Sequence, residues 1–218
     1  MTSQRRVIGV DESGKGDFFG PLVIAALLAA DADRDKLREI GVRDGKLIAN
    51  KKLLSIDEYL REIYPHAVVC IMPDEYNRRY KEIKNLNKLL AAGHAEAIVD
   101  VLGANKADLA ISDKFGKPEL IERELTLRKQ TIELHQIVRG ENIVQVAAAS
   151  ILARAAFLRA MDKLSTTYGH EIPRGASSAV DRAGREIVAR LGPEVLTKLA
   201  KLHFKNYGRV VKSELFHK

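Results

Sequence analysis

Near its N-terminus the chain runs an apolar stretch, Val7-Ile-Gly-Val10, straight into two adjacent acids, Asp11 and Glu12. Residues 5–11 read as a strand, and the apolar side chains predict that it lies centrally in a sheet, buried. A carboxylate kept ionised beside a core is costly unless it is paired or bound to a cation. Adjacent acids at the end of such a strand therefore point to a metal, and the competing reading is an exposed turn in which Asp serves as a cap. The next residues, Ser13-Gly-Lys-Gly16, allow backbone amides to approach a phosphate or sugar, with Lys15 as a cation. The apolar run 21–30 then resumes as a second strand, so the chain opens as strand, tight loop, strand.

That opening contains a decoy. Gly9-Val-Asp-Glu-Ser-Gly14-Lys15 fits a phosphate-binding loop up to its last position, where Gly16 stands in place of the Ser or Thr that binds magnesium. The motif must also open a helix, whereas Pro21-Leu-Val-Ile-Ala25 reads as strand. A nucleotide-binding protein is thus a rival reading that the spacing disfavours.

Further along, amphipathic helix patterns cover about 50–63 and 74–102, with a strand at 66–72 between them. Asp74 and Glu75 after Pro73 suit a helix N-terminus. Short strands are expected at 107–112, ending at Asp113, and at 131–136, ending just before Arg139-Gly-Glu141. Residues 144–164 form a long Ala-rich helix whose small side chains suit close packing on the sheet. Helices at about 177–191 and 193–202 lead to a basic tail. With no internal repeat or linker, the economical reading is one α/β domain, 1–218, whose part from about 165 is helical and ends in that tail.

A 46% hydrophobic, 30% charged composition supports a sizeable core and excludes wholesale disorder. The formal charge of +7 favours a polyanionic partner. The single cysteine, Cys70, lies in His66-Ala-Val-Val-Cys-Ile-Met72 and is expected to be a small buried thiol. No signal-peptide core and no uninterrupted apolar stretch of about 18 residues appear, so a cytoplasmic protein without a membrane is expected. His94, His135 and His203 lack zinc-like spacing and are expected to be packing or surface residues.

Gly9-Val-Asp-Glu-Ser-Gly-Lys-Gly-Asp-Phe-Phe-Gly-Pro-Leu22 closely resembles the opening motif of ribonuclease HIII, one branch of the type 2 ribonucleases H. The sister branch, ribonuclease HII, typically has Ala and Arg where this chain has Ser13 and Lys15. Similar stretches follow in the family's order: Asp44-Gly-Lys-Leu47, Asn85-Leu-Asn-Lys-Leu-Leu-Ala-Ala-Gly-His94, Ile111-Ser-Asp-Lys-Phe-Gly116, Val146-Ala-Ala-Ala-Ser-Ile-Leu-Ala-Arg154, Pro173-Arg-Gly-Ala-Ser177 and Lys201-Leu-His-Phe-Lys205. The resemblance covers about residues 5–205.

It implies a ribonuclease H-like fold, a mixed five-stranded sheet flanked by helices with additional C-terminal helices. It also implies an endonuclease that hydrolyses the RNA strand of RNA/DNA hybrids with two divalent ions, Mg²⁺ or Mn²⁺, leaving 5′-phosphate and 3′-hydroxyl ends. The four acids carried over are Asp11, Glu12, Asp113 and Glu141. The last is assigned by its distance to Ala147-Ala-Ala-Ser150, with Asp162 and Glu133 as alternatives. Asp11 is expected to bridge both ions, Glu12 and Asp113 to complete the shell, and Glu141 to hold the ion on the nucleophile side. Ser13, Gly14, Lys15, Gly16, Lys46, Lys114 and Ser150 are the candidate substrate-binding residues.

Members of the family usually carry an N-terminal substrate-binding domain, yet ten residues precede Asp11 here, so the domain is either absent or removed and the basic tail is expected to carry more of the binding. Pro173-Arg-Gly-Ala-Ser177 has no equivalent of the tyrosine with which ribonuclease HII cuts at single ribonucleotides, so several consecutive ribonucleotides are expected to be needed. A monomer is expected. The rivals are ribonuclease HII-like cleavage and a non-catalytic nucleic-acid-binding protein of the same fold.

Overall fold

The computed structural model describes residues 5–43 and 48–211, which places Lys46 and its motif outside the described residues. By internal contacts the described residues divide into two compact units, one drawn from 5–13, 23–43, 48–69 and 85–156, the other from 14–22, 70–84 and 157–211.

The first unit is organised by a five-stranded mixed sheet: β1(Arg6–Ser13), β2(Leu22–Ala30), β3(His66–Ile71), β4(Leu109–Asp113) and β5(Glu133–Ile137), in the order β3-β2-β1-β4-β5. The apolar opening strand is central, as its composition requires. It runs antiparallel to β2, with Arg6 opposite Ala30 and Ser13 opposite Val23, and parallel to β4, with Val7 opposite Leu109 and Val10 opposite Ser112. The nearly continuous apolar sequence of β2 is buried along all but its last residue, the pattern of a strand covered on both faces. The loop between β1 and β2 leads into a strand and not a helix, which removes the nucleotide-loop rival.

Helices α1(Arg34–Glu39), α2(Asn50–Ile63), α4(Leu86–Leu102), α5(Glu119–Leu127) and the first half of α6(Val144–Tyr168) complete this unit. At Gly9 the start of α6 rests on the β1 backbone: a Cβ there would lie 2.1 Å from the carbonyl carbon of Gln145. Val146 then joins Val7, Leu109 and Ile111 in a buried cluster, and Ala147, Ala148 and Ala149 are buried beside it. The Ala-rich sequence of α6 is thus used for close approach. On length and composition α6 could cross a membrane, but 67% of its apolar window is buried inside the protein, as in a core helix.

The second unit contains α3(Pro73–Ile83), the rest of α6, α7(Ser178–Leu191), α8(Leu196–Leu199) and α9(Lys205–Val211). Lys201 is fully buried in it, donating from Nζ to the carbonyl oxygens of Asp17 at 2.8 Å and Gly20 at 2.7 Å. Burial pushes its ammonium down to about 7, against the opposing pull of the Asp17 charge. The same loop is tied to residue 175 by Phe18 N–H donating to Gly175 O and Gly175 N–H donating to Asp17 Oδ1. Asp181, also buried, accepts from Asn206 and Arg209.

Several expectations are corrected. The helix pattern at 74–102 is two helices, because Lys84 takes a left-handed conformation and the Asn85 side chain caps α4 by accepting from Lys88 N–H. Cys70 is exposed and not buried: β3 is an edge strand, and alternation buries Val69 and Ile71 while turning the intervening thiol outward. The segment 193–202 holds only a single turn and the four-residue α8. The basic segment runs into α9, which ends at Val211; Lys201 is buried in the protein, and Arg209, half exposed, pairs with Asp181. α5 was not apparent in the sequence pattern.

Candidate metal centre

Strand alternation decides which way each acid of β1 faces. Gly9 and Asp11 share the face covered by α6, and Val10 and Glu12 face α4. The parallel register that sets Val10 opposite Ser112 carries β1 and β4 one residue further to Asp11 and Asp113, side by side on adjacent strand ends. Neighbouring strands lie about 4.8 Å apart, and alternation sends both side chains to the α6 face of the sheet. β5 continues the parallel sheet, and the chain turns back at its end so that Gly140 N–H donates to Asp113 Oδ1 at 2.9 Å. A Cβ at residue 140 would stand 3.0 Å from the Cα of Asp113, so a side chain there would have to push the Asp113 backbone back by a few tenths of an ångström. Glu141, half-buried, is the next residue.

Asp11 is the electrostatic focus. Its carboxyl is pushed up from 3.8 to about 6, chiefly by burial and next by the negative charge of Glu12; hydrogen bonds from the Ser150 side chain and the Glu12 N–H, and the charge of His94, oppose the rise. Glu12 turns to α4, where its Oε2 lies 3.2 Å from Nε2 of the buried His94. The other ring nitrogen of His94 is 3.1 Å from the Ser112 hydroxyl, which in turn donates to the carbonyl oxygen of Asp113. Among the described residues no three His, Cys, Asp or Glu side chains stand at cation-ligating geometry. The donor chemistry nevertheless fits a hard divalent ion: Asp11 is a desolvated oxygen donor beside a second carboxylate, and a cation would offset the charge that the protein leaves poorly compensated.

Of the remaining candidates, Ser150 is engaged with Asp11. Ser13 ends β1, Gly14 is buried, Lys15 is half-buried, and Gly16 and Lys114 are exposed. Glu133 pairs with Leu109, at the opposite end of β4 from Asp113, and bonds Arg5 and His135. Asp162 is exposed and belongs to the second unit. His203 stacks on Tyr80, 4.2 Å between ring centres, and on Tyr76. His94 is the functional candidate that sequence reasoning missed. Its place in Ala91-Ala-Gly-His94, within a stretch resembling the family, was the available signal.

A sequence profile of the family described as Ribonuclease HII matches residues 8–207. The chain belongs to the ribonuclease HII family. It is accordingly a hydrolase of the ribonuclease H type. Within the family, the ribonuclease HIII of Chlamydia pneumoniae is 43% identical over 206 residues, 93% of this chain and 69% of the relative. The fold is likewise that of ribonuclease HIII: the crystal structure of Bst-RNase HIII in complex with Mn²⁺ superposes with a TM-score of 0.90 at 32% identity, covering 99% of this chain and 72% of that one. Aquifex aeolicus RNase H3 gives a TM-score of 0.76 at 25% identity, covering 93% of this chain and 73% of that one.

Proposed function

We propose that this ribonuclease H hydrolyses the RNA strand of RNA/DNA hybrids as an endonuclease, using two divalent ions, Mg²⁺ or Mn²⁺, and leaving 5′-phosphate and 3′-hydroxyl ends. The observation that carries the reading is the pair Asp11 and Asp113 at aligned strand ends, with Asp11 desolvated and beside Glu12. Support comes from the Mn²⁺ complex of Bst-RNase HIII. Asp11, Glu12, Asp113 and Glu141 would hold the ions. Bound there, divalent cations supply an activated water and stabilise charge on the phosphate and on the leaving oxygen.

The protein's own residues orient and shield. Ser150 and the Glu12 N–H hold the Asp11 carboxylate in one direction, and Gly140 N–H does the same for Asp113. The segment 13–16 directly follows the acids, and its glycine backbone suits close approach to a 2′-hydroxyl, the group that distinguishes the RNA strand. Lys15 and Lys114 supply cations for phosphates. Hybrid cleavage in a cytoplasmic setting, by a monomer, completes the proposal.

The test is cleavage of end-labelled hybrids in Mg²⁺ and in Mn²⁺, alongside a DNA duplex carrying one ribonucleotide. Asp113→Asn keeps an oxygen to accept from Gly140 N–H, so its effect reports charge and not shape. Loss of at least a hundredfold in kcat is expected, with products mapping inside runs of ribonucleotides. Undiminished cleavage by Asp113→Asn would overturn the site. Cleavage confined to the single-ribonucleotide duplex would favour the ribonuclease HII-like alternative.

A further inference from the structure

We propose that His94 is a positioning residue for Glu12, and that its two ring nitrogens tie together the ends of β1 and β4 that carry Glu12 and Asp113. The inference rests on the reading of those acids as cation ligands. His94 lies on α4 with no exposed surface, and the Glu12 side chain is only 11% exposed. Nε2 approaches Glu12 Oε2 at 3.2 Å and Nδ1 approaches Ser112 Oγ at 3.1 Å.

The hydrogen count gives the arrangement its direction. Ser112 has one hydroxyl hydrogen, and it is directed at the Asp113 carbonyl oxygen 2.9 Å away. The hydroxyl oxygen therefore accepts and Nδ1–H donates to it; the Glu12 carboxylate can only accept, so Nε2–H donates to it and the ring carries a proton on both nitrogens. The Phe115 ring packs against the imidazole with centres 4.7 Å apart, tilted by 52°. An imidazole bonded at both nitrogens and packed on one side has a single orientation, and a carboxylate bonded to it inherits that orientation.

A histidine buried for packing alone would not have an acid of the catalytic motif at one nitrogen and a serine abutting another such acid at the other. The bond to His94 uses one of the two carboxylate oxygens. Partners of this kind behind a ligating carboxylate fix its geometry, and their loss typically weakens metal affinity or activity tenfold to a hundredfold.

The experiment compares wild type with His94→Leu, His94→Gln and Ser112→Ala. Mn²⁺ affinity is read by calorimetry without nucleic acid, and kcat and KM are read on a hybrid. Leucine, which fills the space without a donor, is expected to weaken Mn²⁺ binding by about tenfold to a hundredfold and to lower kcat with little change in KM. Glutamine, whose amide can donate to Glu12, is expected to recover much of both. Ser112→Ala is expected to fall between. Should His94→Leu not melt cooperatively, Ser112→Ala decides the matter. Mn²⁺ affinity within twofold of wild type in the variants that fold would overturn the role of His94. If wild type itself neither binds Mn²⁺ nor cleaves hybrid, the functional reading fails, and this inference fails with it.

Discussion

Replacing Asp11 with Asn removes a charge that the fold holds at a cost, and the consequence for stability is calculable. A carboxyl moved from 3.8 to about 6 has its ionised form disfavoured by about 3 kcal/mol, at 1.36 kcal/mol per pKa unit. Partial exposure reduces this to roughly 2 kcal/mol. Below pH 3.8 the group is protonated in both states and contributes nothing. As pH rises the unfolded chain ionises first, so the folded state loses stability, and the full cost is reached above pH 6. Asparagine retains an oxygen for the Ser150 and Glu12 N–H contacts. In EDTA at pH 7.5, Asp11→Asn should therefore melt about 4–8 °C above wild type, and the gap should narrow steadily as pH is lowered from 6 to 4. Added Mn²⁺ should raise the melting temperature of wild type and leave the variant nearly unchanged. A variant no more stable than wild type in EDTA at pH 7.5 would refute the claim that Asp11 is held at electrostatic cost.

Two further substitutions probe the supports of the site. Gly140→Ala brings a Cβ to 3.0 Å from the Asp113 backbone; it should destabilise by about 1–3 kcal/mol and lower kcat at least tenfold, and wild-type kcat would show that the Gly140 approach to Asp113 is dispensable. Lys201→Met leaves the Asp17 and Gly20 carbonyls without their buried donor; urea unfolding should show a loss of about 2–4 kcal/mol, and a change under 0.5 kcal/mol would show that water or a neighbour replaces the ammonium.

The sequence made the centre of the fold legible because the relevant signals are local. The run Val7 to Val10 ending in acids, the continuous apolar stretch of β2 and the alanines of α6 each encode their own burial. The candidate acids were legible as residues at element ends, and family resemblance grouped them. What escaped depends on partners far along the chain. His94 looks like any core histidine until β1 and β4 bring Glu12 and Ser112 to it. Lys201 reads as part of a basic tail until the carbonyls of the first loop surround it. The break after α3 escaped for another reason: a left-handed Lys84 and an Asn cap interrupt a hydrophobic period that continues across them. The opposite facing of Asp11 and Glu12, by contrast, follows from alternation alone and could have been read in advance.

The parallel register of β1 and β4 makes nuclease competence a readout of completed folding. Their acids come from segments that meet only through long-range pairing, and a slip of one residue would send Asp113 to the side of the sheet away from Asp11. Such non-local pairing is intrinsically slow to form. On the proposed site, a chain in which β1 and β4 had not yet paired would lack the juxtaposed acids.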